Sequence, residues 1–279
     1  MNTRFATTAL AALGAIALLS MPSVSRAGNI GVHGSCFGGS KNSAITTAGH
    51  TPVAVATLDA ASLASLSGLI IENCNGESLS SKVNSDVQSA VSNGMQLVIN
   101  DWNPGAATQS ALPGTPAMAW QYSGGSQLDL VAGMPFITGP GGTLTDASLD
   151  GGNSSHHGLT TSVAPEGVTR LLTTPDPSQT VGISYSFGSG QVVYNAIPMD
   201  AYLPGGALAS NPVGPGMQTY LTNILANVSS FTSCADEGFT GIKLTLCRQI
   251  CEVPQSSARL SALIRAYFTA YRENPPCAL

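Results

Sequence analysis

Four short apolar runs follow residue 27, and polar or glycine-rich sequence separates them. They are Asn29–His33, Pro52–Leu58, Gly68–Asn73 and Met95–Asp101. The runs are continuous rather than alternating, which is typical of strands that are buried on both faces of a parallel sheet. The pattern therefore predicts an α/β domain whose sheet is covered by helices.

A helical pattern lies between the third and the fourth run. Val83, Val87 and Val91 recur at every fourth position within Leu79–Asn93, a serine pair stands near its start, and Gly94 follows it. Serine is a common helix N-cap, and glycine often follows a helix in a left-handed conformation. Strand, helix and strand in this order predict a right-handed βαβ unit.

The pattern changes in the second half of the chain. Asp101–Gly152 is rich in Gly, Pro, Ser and Thr and predicts long loops with short strands. Gly182–Phe187 and Gln191–Ile197 are joined by a Gly-Ser-Gly turn and predict a β-hairpin. Met217–Val228 then predicts a helix with one apolar face.

The amino terminus has the three-part pattern of a secretory leader. Arg4 precedes the apolar run Ala6–Leu19, and Ser25 and Ala27 are the small residues that a signal peptidase reads. The run is shorter than the roughly 20 residues that a membrane-spanning helix needs. We therefore expect Met1–Ala27 to be a signal peptide, the mature protein to be periplasmic or secreted, and no membrane span to remain after cleavage.

Composition excludes one class of partner. Charged residues make up 9% of the chain, and residues 28–230 contain only three basic side chains, Lys41, Lys82 and Arg170. Binding to a phosphate backbone requires many clustered basic groups. We therefore expect no nucleic-acid binding.

The order of the motifs in residues 28–230 resembles the class I glutamine amidotransferase-like fold, including the trehalose-utilisation-like proteins. Ala48–Val53 is similar to the entry of the second strand, Leu66–Ile71 to the third strand, Val91–Val98 to the following helix-to-strand junction, and Tyr185–Met199 to a late hairpin. The resemblance implies a flavodoxin-like, mostly parallel sheet with a late β-hairpin.

The resemblance argues against the amidotransferase reaction. Active members carry a nucleophilic Cys at the tight turn after the strand that corresponds to Met95–Asp101 here. Their His and Glu residues come later in the chain. Here that turn, Asn100–Pro104, contains no Cys, and no His-x-Glu follows it. The implied domain is therefore one that lacks the nucleophile.

Open α/β sheets bind ligands beyond the carboxyl ends of their strands. In the strand order 2-1-3-4, the first and third strands are neighbours, and Cys36 and Cys74 follow them. Neighbouring strands lie close enough for a disulfide, which we expect between these residues. A nucleophilic role for Cys36, which lies in a G-x-C-x-G pattern, is the alternative.

Histidine and carboxylate side chains at the same edge are the candidates for catalysis. They are His33, His156, His157, Asp101 and Glu72, with His156 and His157 expected in a flexible polar loop. Histidine suits acid/base work at neutral pH. The alternative is that the two loop histidines only bond to the backbone. No ligand spacing indicates a metal, and we expect no cofactor.

Residues 231–279 predict a second, smaller module. They hold half of all Lys and Arg, a short helix at Leu244–Glu252, and a longer helix that begins near Ser256 and carries an apolar stripe to Tyr271. A helical hairpin of this size needs covalent staples. Disulfides Cys247–Cys277 and Cys234–Cys251 are the favoured pairing, and a zinc site is the alternative.

The tail Leu246–Glu252 with Pro275–Cys277 resembles the Cys-rich C-terminal tails of assorted exported bacterial proteins, which implies sorting, anchoring or docking; a stabilising cap is the alternative. Taken together, these features predict an exported binding or interaction protein for a small molecule or a cell-envelope component. An exported hydrolase with a His/carboxylate site at the carboxyl edge of the sheet is the alternative.

Overall fold

The computed structural model describes residues 27–227, 241–251 and 257–271. In chain order, the strands of these residues are β1 (Asn29–His33), β2 (Thr51–Ala54), β3 (Gly68–Asn73), β4 (Gln96–Asp101), β5 (Gln121–Gly125), β6 (Asp129–Leu130), β7 (Thr138–Gly139), β8 (Gly142–Thr143), β9 (His156–Leu159), β10 (Val168–Thr173), β11 (Thr180–Phe187) and β12 (Gly190–Asn195). The helices are α1 (Asn42–Thr47), α2 (Ala60–Leu63), α3 (Leu79–Lys82), α4 (Ser85–Ser92), α5 (Thr108–Ala111), α6 (Gly214–Ala226), α7 (Gly241–Cys251) and α8 (Ser257–Tyr271).

The central sheet has eight strands in the order β2-β1-β3-β4-β12-β11-β10-β6. Pairing is parallel from β2 through to β12, and it is antiparallel from β12 to β6. All residues of β3 and β4 are buried, as their continuous apolar runs predict. The α/β prediction, the order 2-1-3-4 and the late hairpin are confirmed.

Helices cover both faces of the sheet. α1 packs against α6, and α2 packs against α4. The connection from β1 to β2 steps one way across the sheet, and the connections from β2 to β3 and from β3 to β4 step the other way. Right-handed crossovers that step in opposite directions lie on opposite faces, so α1 covers one face while α2 and α4 cover the other. This burial on both sides is why the parallel strands tolerate almost no polar residues before their carboxyl ends.

One predicted helix is divided in the structure. The pattern at Leu79–Asn93 becomes α3 and α4 because the Asn84 side chain accepts hydrogen bonds from the backbone N–H groups of Asp86 and Val87, at 3.0 Å each. That contact makes Asn84 the N-cap of α4. Val87 and Val91 are nevertheless fully buried, as their spacing predicts.

The C-terminal part contains two helices that pack against each other, α7 and α8, close to the predicted positions. Cys247 is buried and disulfide-bonded. The pairings Cys247–Cys277 and Cys234–Cys251 lie outside the described residues, as do the leader and the predicted module boundary at residues 230 and 231. Within the described ranges, no helix combines the length and apolar character that crossing a bilayer requires.

Candidate functional site

Loops after β1 and β3 meet at the carboxyl edge of the sheet and are joined covalently. A disulfide links Cys36 to Cys74, with 5.3 Å between their Cα atoms. β1 and β3 are hydrogen-bonded neighbours, so residues just beyond their ends fall within disulfide reach. The predicted bridge is confirmed, and Cys36 therefore carries no thiolate with which to act as a nucleophile.

Beneath this edge lies a buried cluster of three charged side chains, Lys41, Glu72 and Asp200. Each is at most 1% exposed. The Lys41 Nζ atom is 3.3 Å from Glu72 Oε1 and 3.8 Å from Asp200 Oδ2. Of the three, the sequence indicated only Glu72, because Lys41 lies in a connection with poor helix propensity and Asp200 lies beyond the late hairpin.

Asp200 is held by the loop that follows β1. Its Oδ2 atom accepts hydrogen bonds from the backbone N–H groups of Cys36 at 2.7 Å and Phe37 at 2.8 Å, and from the Ser35 hydroxyl at 3.3 Å. Its other oxygen, Oδ1, is buried and has no hydrogen-bond partner among the described residues. The two oxygens of this carboxylate therefore stand in very different surroundings.

Gly39 allows the loop to approach Asp200 this closely. A Cβ atom at position 39 would lie 1.8 Å from the backbone oxygen of Asp200, far inside any real contact. Only glycine fits here, for reasons of space.

Glu72 is the carboxylate of the cluster whose pKa is strongly raised. Burial raises the pKa of Glu72 to about 7, against the opposing effect of the Lys41 ammonium, and the negative charge of Asp200 raises it further. The Asn100 side chain donates a hydrogen bond to Glu72 Oε1 at 3.0 Å. A group with this pKa can exchange a proton near neutral pH.

Asp101 is held at the end of β4 by hydrogen bonds from three donors. The Asn73 amide donates at 2.7 Å, the backbone N–H of Asn103 at 2.9 Å, and the Tyr194 hydroxyl at 2.9 Å. Burial raises the pKa of Asp101 in spite of these donors. The side chain anchors the turn after β4 and is fully buried, so it does not reach the surface of the edge.

His156 and His157 lie in a strand rather than in the flexible loop that the sequence predicts. They open β9, which pairs antiparallel with β5 in a small second sheet. Both side chains are buried, and burial lowers the pKa of each. The loop interpretation of this segment is wrong because pairing with Gln121–Gly125, far along the sequence, gives the backbone a strand partner.

The candidate histidines contact the backbone rather than acids. His157 donates from Nδ1 to the Trp102 carbonyl oxygen at 3.3 Å, and His33 donates from Nδ1 to the Val55 carbonyl oxygen at 3.0 Å. Within the described part of the chain, no histidine forms an ion pair with a carboxylate. The structure thus brings Glu72 and Asp101 to the same edge as the histidines without joining them into an acid/base pair.

An aromatic strip runs along the edge, and no pattern in the sequence indicates it. It consists of Phe37, Trp102, His157 and Tyr122, with neighbouring ring centroids 4.2, 5.3 and 5.7 Å apart. Phe37 and Trp102 are partly exposed, and Tyr122 is 62% exposed. The four rings come from four separate loops or strands, so only the fold places them side by side.

The cluster does not suit a metal ion. Ligand atoms of Cys36, Glu72 and Asp200 lie within 4.8 Å of one another. However, the Cys36 sulfur is bonded to Cys74, and the Lys41 ammonium already provides the positive charge between the two carboxylates. A divalent ion at this place would be repelled by that ammonium.

A groove of about 540 Å³ lies at the opposite, amino edge of the sheet. Residues from the start of β1, from α2 and from α4 line it, including Gly28, Leu63 and Ala90. It contains none of the predicted site residues. Nearby, His50 accepts a hydrogen bond from the Gly28 N–H and contacts the Leu225 carbonyl oxygen, which fixes the start of β1 against α6.

No protein-family model matches the sequence, and no curated protein matches it. Solved structures with a similar arrangement include the cytoplasmic protein STM1381 from Salmonella typhimurium LT2, at 10% identity and a TM-score of 0.47, covering 72% of this chain and 99% of that one. The cytoplasmic protein STM3548 from Salmonella typhimurium is similar at 9% identity and 0.44, covering 71% and 97%.

An exo-β-1,4-mannosidase, Op5Man5 from Opitutaceae bacterium strain TAV5, also matches at 11% identity and a TM-score of 0.42, covering 75% of this chain and 37% of that one. Structural similarity at such low identities and TM-scores gives no information about the activity of this protein.

Proposed function

We propose that the protein is an exported binding or interaction protein whose ligand contacts the carboxyl edge of an amidotransferase-like domain that lacks the nucleophile. The observation that carries the proposal is the aromatic strip of Phe37, Trp102, His157 and Tyr122 at that edge. Aromatic rings provide large contact areas at low cost in conformational entropy, and they dominate the energetics of many binding surfaces.

The surroundings of the acidic groups support binding over hydrolysis. Glu72, Asp101 and Asp200 are each at most 1% exposed, and protein groups already hydrogen-bond or pair with them. A general acid or base must come within hydrogen-bond reach of the substrate. The rings, in contrast, are the side chains that a ligand at this edge would touch.

The ligand that this surface favours is an uncharged or weakly charged component of the cell envelope with apolar ring faces. The strip carries no permanent charge, which favours an uncharged ligand. A location in the cell envelope is inferred from the leader-like Met1–Ala27 and from the Cys36–Cys74 disulfide. Disulfides persist mainly in oxidising compartments. In this proposal the Cys-rich C-terminal tail docks the protein at the envelope.

Tryptophan fluorescence tests the proposal directly, because the chain has two tryptophans in different surroundings. Trp102 belongs to the strip, whereas Trp120 is 3% exposed and packs on Tyr194. Titration of the exported protein with N-acetylglucosamine oligosaccharides, which are uncharged and present the sugar-ring faces of cell-wall glycan, is expected to give a saturable change in Trp102 fluorescence. Tyr122→Ser should weaken that binding by about tenfold or more.

Val163→Ser is the matched control, since Val163 is 90% exposed and lies outside the strip. Its affinity should equal that of the wild type. The proposal is wrong if none of the probes binds, or if Tyr122→Ser binds as tightly as the control. Turnover of an ester, amide or glycoside substrate that disappears in His157→Ala would favour the hydrolase instead.

A further inference from the structure

The buried cluster of Lys41, Glu72 and Asp200 has no role in the proposed binding surface. It places a primary amine between two carboxyl groups in the buried interior, with all three side chains at most 1% exposed. We propose that Lys41 and Asp200 condense into an intramolecular amide bond, with Glu72 transferring the proton.

Asp200 is arranged as the electrophile. Two backbone N–H groups, from Cys36 and Phe37, point at Oδ2 from 2.7 and 2.8 Å. Paired backbone donors at this distance stabilise the oxyanion that develops when a nucleophile adds to a carbonyl carbon. The second oxygen, Oδ1, has no hydrogen-bond partner among the residues that the structure describes, and it is the oxygen that leaves.

Lys41 and Glu72 supply the nucleophile and the proton carrier. Within the described ranges of the chain, the Lys41 Nζ atom has no hydrogen-bond partner of good geometry. It lies 3.3 Å from Glu72 Oε1 and 3.8 Å from Asp200 Oδ2. Burial raises the pKa of Glu72 to about 7, so this carboxylate can accept a proton from the ammonium and return it.

The atoms balance without any further reactant. The ammonium of Lys41 gives one proton to Glu72, and the nitrogen lone pair then forms a bond to Cγ of Asp200. The carbon–Oδ1 bond breaks as Oδ1 takes the proton from Glu72 and the second proton from the nitrogen. An ammonium and a carboxylate become an amide and one water, and Glu72 returns to its starting state.

Burial favours the product as well as the reaction. Two charges buried out of water carry a large desolvation cost, and the neutral amide removes it. The fold holds the amine and the carboxyl group in contact, so no bimolecular encounter is needed. Such fixed proximity raises the rate of a reaction by many orders of magnitude. Asp200 rather than Glu72 is the acceptor because the backbone N–H pair faces Asp200 alone.

Mass spectrometry of the full chain, denatured and fully reduced, tests the proposal. We expect the protein to be lighter than its sequence by one water, about 18 Da. A proteolytic digest should contain a branched peptide that joins Lys41 to Asp200, and fragmentation should place the link on those two side chains.

Lys82 is the matched internal control. It pairs with Glu77, whose side chain is 42% exposed, so water competes and no amide is expected. Glu72→Gln and Lys41→Arg should restore the full mass, whereas Asp200→Asn should lose ammonia, about 17 Da, in the same reaction. Separate, unmodified Lys41 and Asp200 peptides from the wild-type protein would overturn the proposal, whatever the variants do and whether or not the edge binds a ligand.

Discussion

At the residue scale, the most consequential feature is a set of charges placed where a sequence pattern predicts only apolar core. Lys41, Glu72 and Asp200 come from positions far apart in the chain, and each is buried beside the others. Buried charges persist only when they are paired and hydrogen-bonded. Removal of Lys41 leaves two carboxyl groups inside the domain without a cation, whereas removal of either carboxylate leaves a single ion pair.

Glu72 gives the fold a pH dependence of predictable sign. Burial raises the pKa of Glu72 from 4.5 to about 7, so the folded state binds a proton more tightly than the unfolded state. The contribution of Glu72 to the unfolding free energy is therefore fully present below about pH 4.5, and it is lost as pH rises towards 7. The loss amounts to roughly 3 kcal/mol, at about 1.4 kcal/mol for each pH unit.

Urea denaturation at closely spaced pH values measures this contribution. Glu72→Gln should flatten the slope of unfolding free energy between pH 4.5 and 7, because glutamine does not titrate. An equal slope in the variant would show that other groups cause it. Asp59→Asn is a suitable control, since Asp59 is exposed and hydrogen bonds from Ser62 and Thr57 lower its pKa, which keeps its titration below this pH range.

At the element scale, one side chain decides where a helix begins. Asn84 turns a predicted single helix into α3 and α4 by capping the N–H groups of Asp86 and Val87. Its own amide also donates to the Leu58 carbonyl oxygen at 2.9 Å, which ties the start of α4 to the segment before α2. The cap thus fixes the position of a helix that covers one face of the sheet.

Loss of this cap should be measurable. We expect Asn84→Ala to reduce the unfolding free energy by about 1–2 kcal/mol, which is the usual cost of removing an N-cap side chain. Asn93→Ala is the comparison, because Asn93 ends the same helix, is exposed, and uses only its backbone there. Chemical denaturation of both variants should separate them clearly, and equal losses would contradict the capping role.

At the scale of the whole molecule, local patterns predicted the parallel strands and the late hairpin, but neither the antiparallel edge strands β10 and β6 nor the site. Continuous apolar runs predicted β1 to β4, and the strand order then predicted the Cys36–Cys74 bridge. The sequence did not reveal β9 or the partners of Glu72, because both depend on contacts between residues far apart in the chain. Asp200, for example, meets Cys36 across 164 positions.

The Cys36–Cys74 bridge should make a large contribution to the stability of the whole domain. It closes a loop across 38 positions, and cross-links of that length stabilise by about 3–4 kcal/mol in the chain-entropy treatment. The double variant Cys36→Ser/Cys74→Ser is therefore expected to unfold at a lower urea concentration. Comparison with wild type under oxidising conditions leaves the disulfide of Cys247 intact in both, and matching midpoints would contradict this expectation.

The position of Asp200 after β12 has a consequence for the order in which the chain can assemble. The loop after β1 is synthesised early, yet the carboxylate that anchors it arrives about 160 residues later. A polypeptide that emerges amino end first therefore cannot complete this edge until nearly the entire domain is available. The loop after β1 therefore stays without its anchoring carboxylate until synthesis of the domain is almost finished.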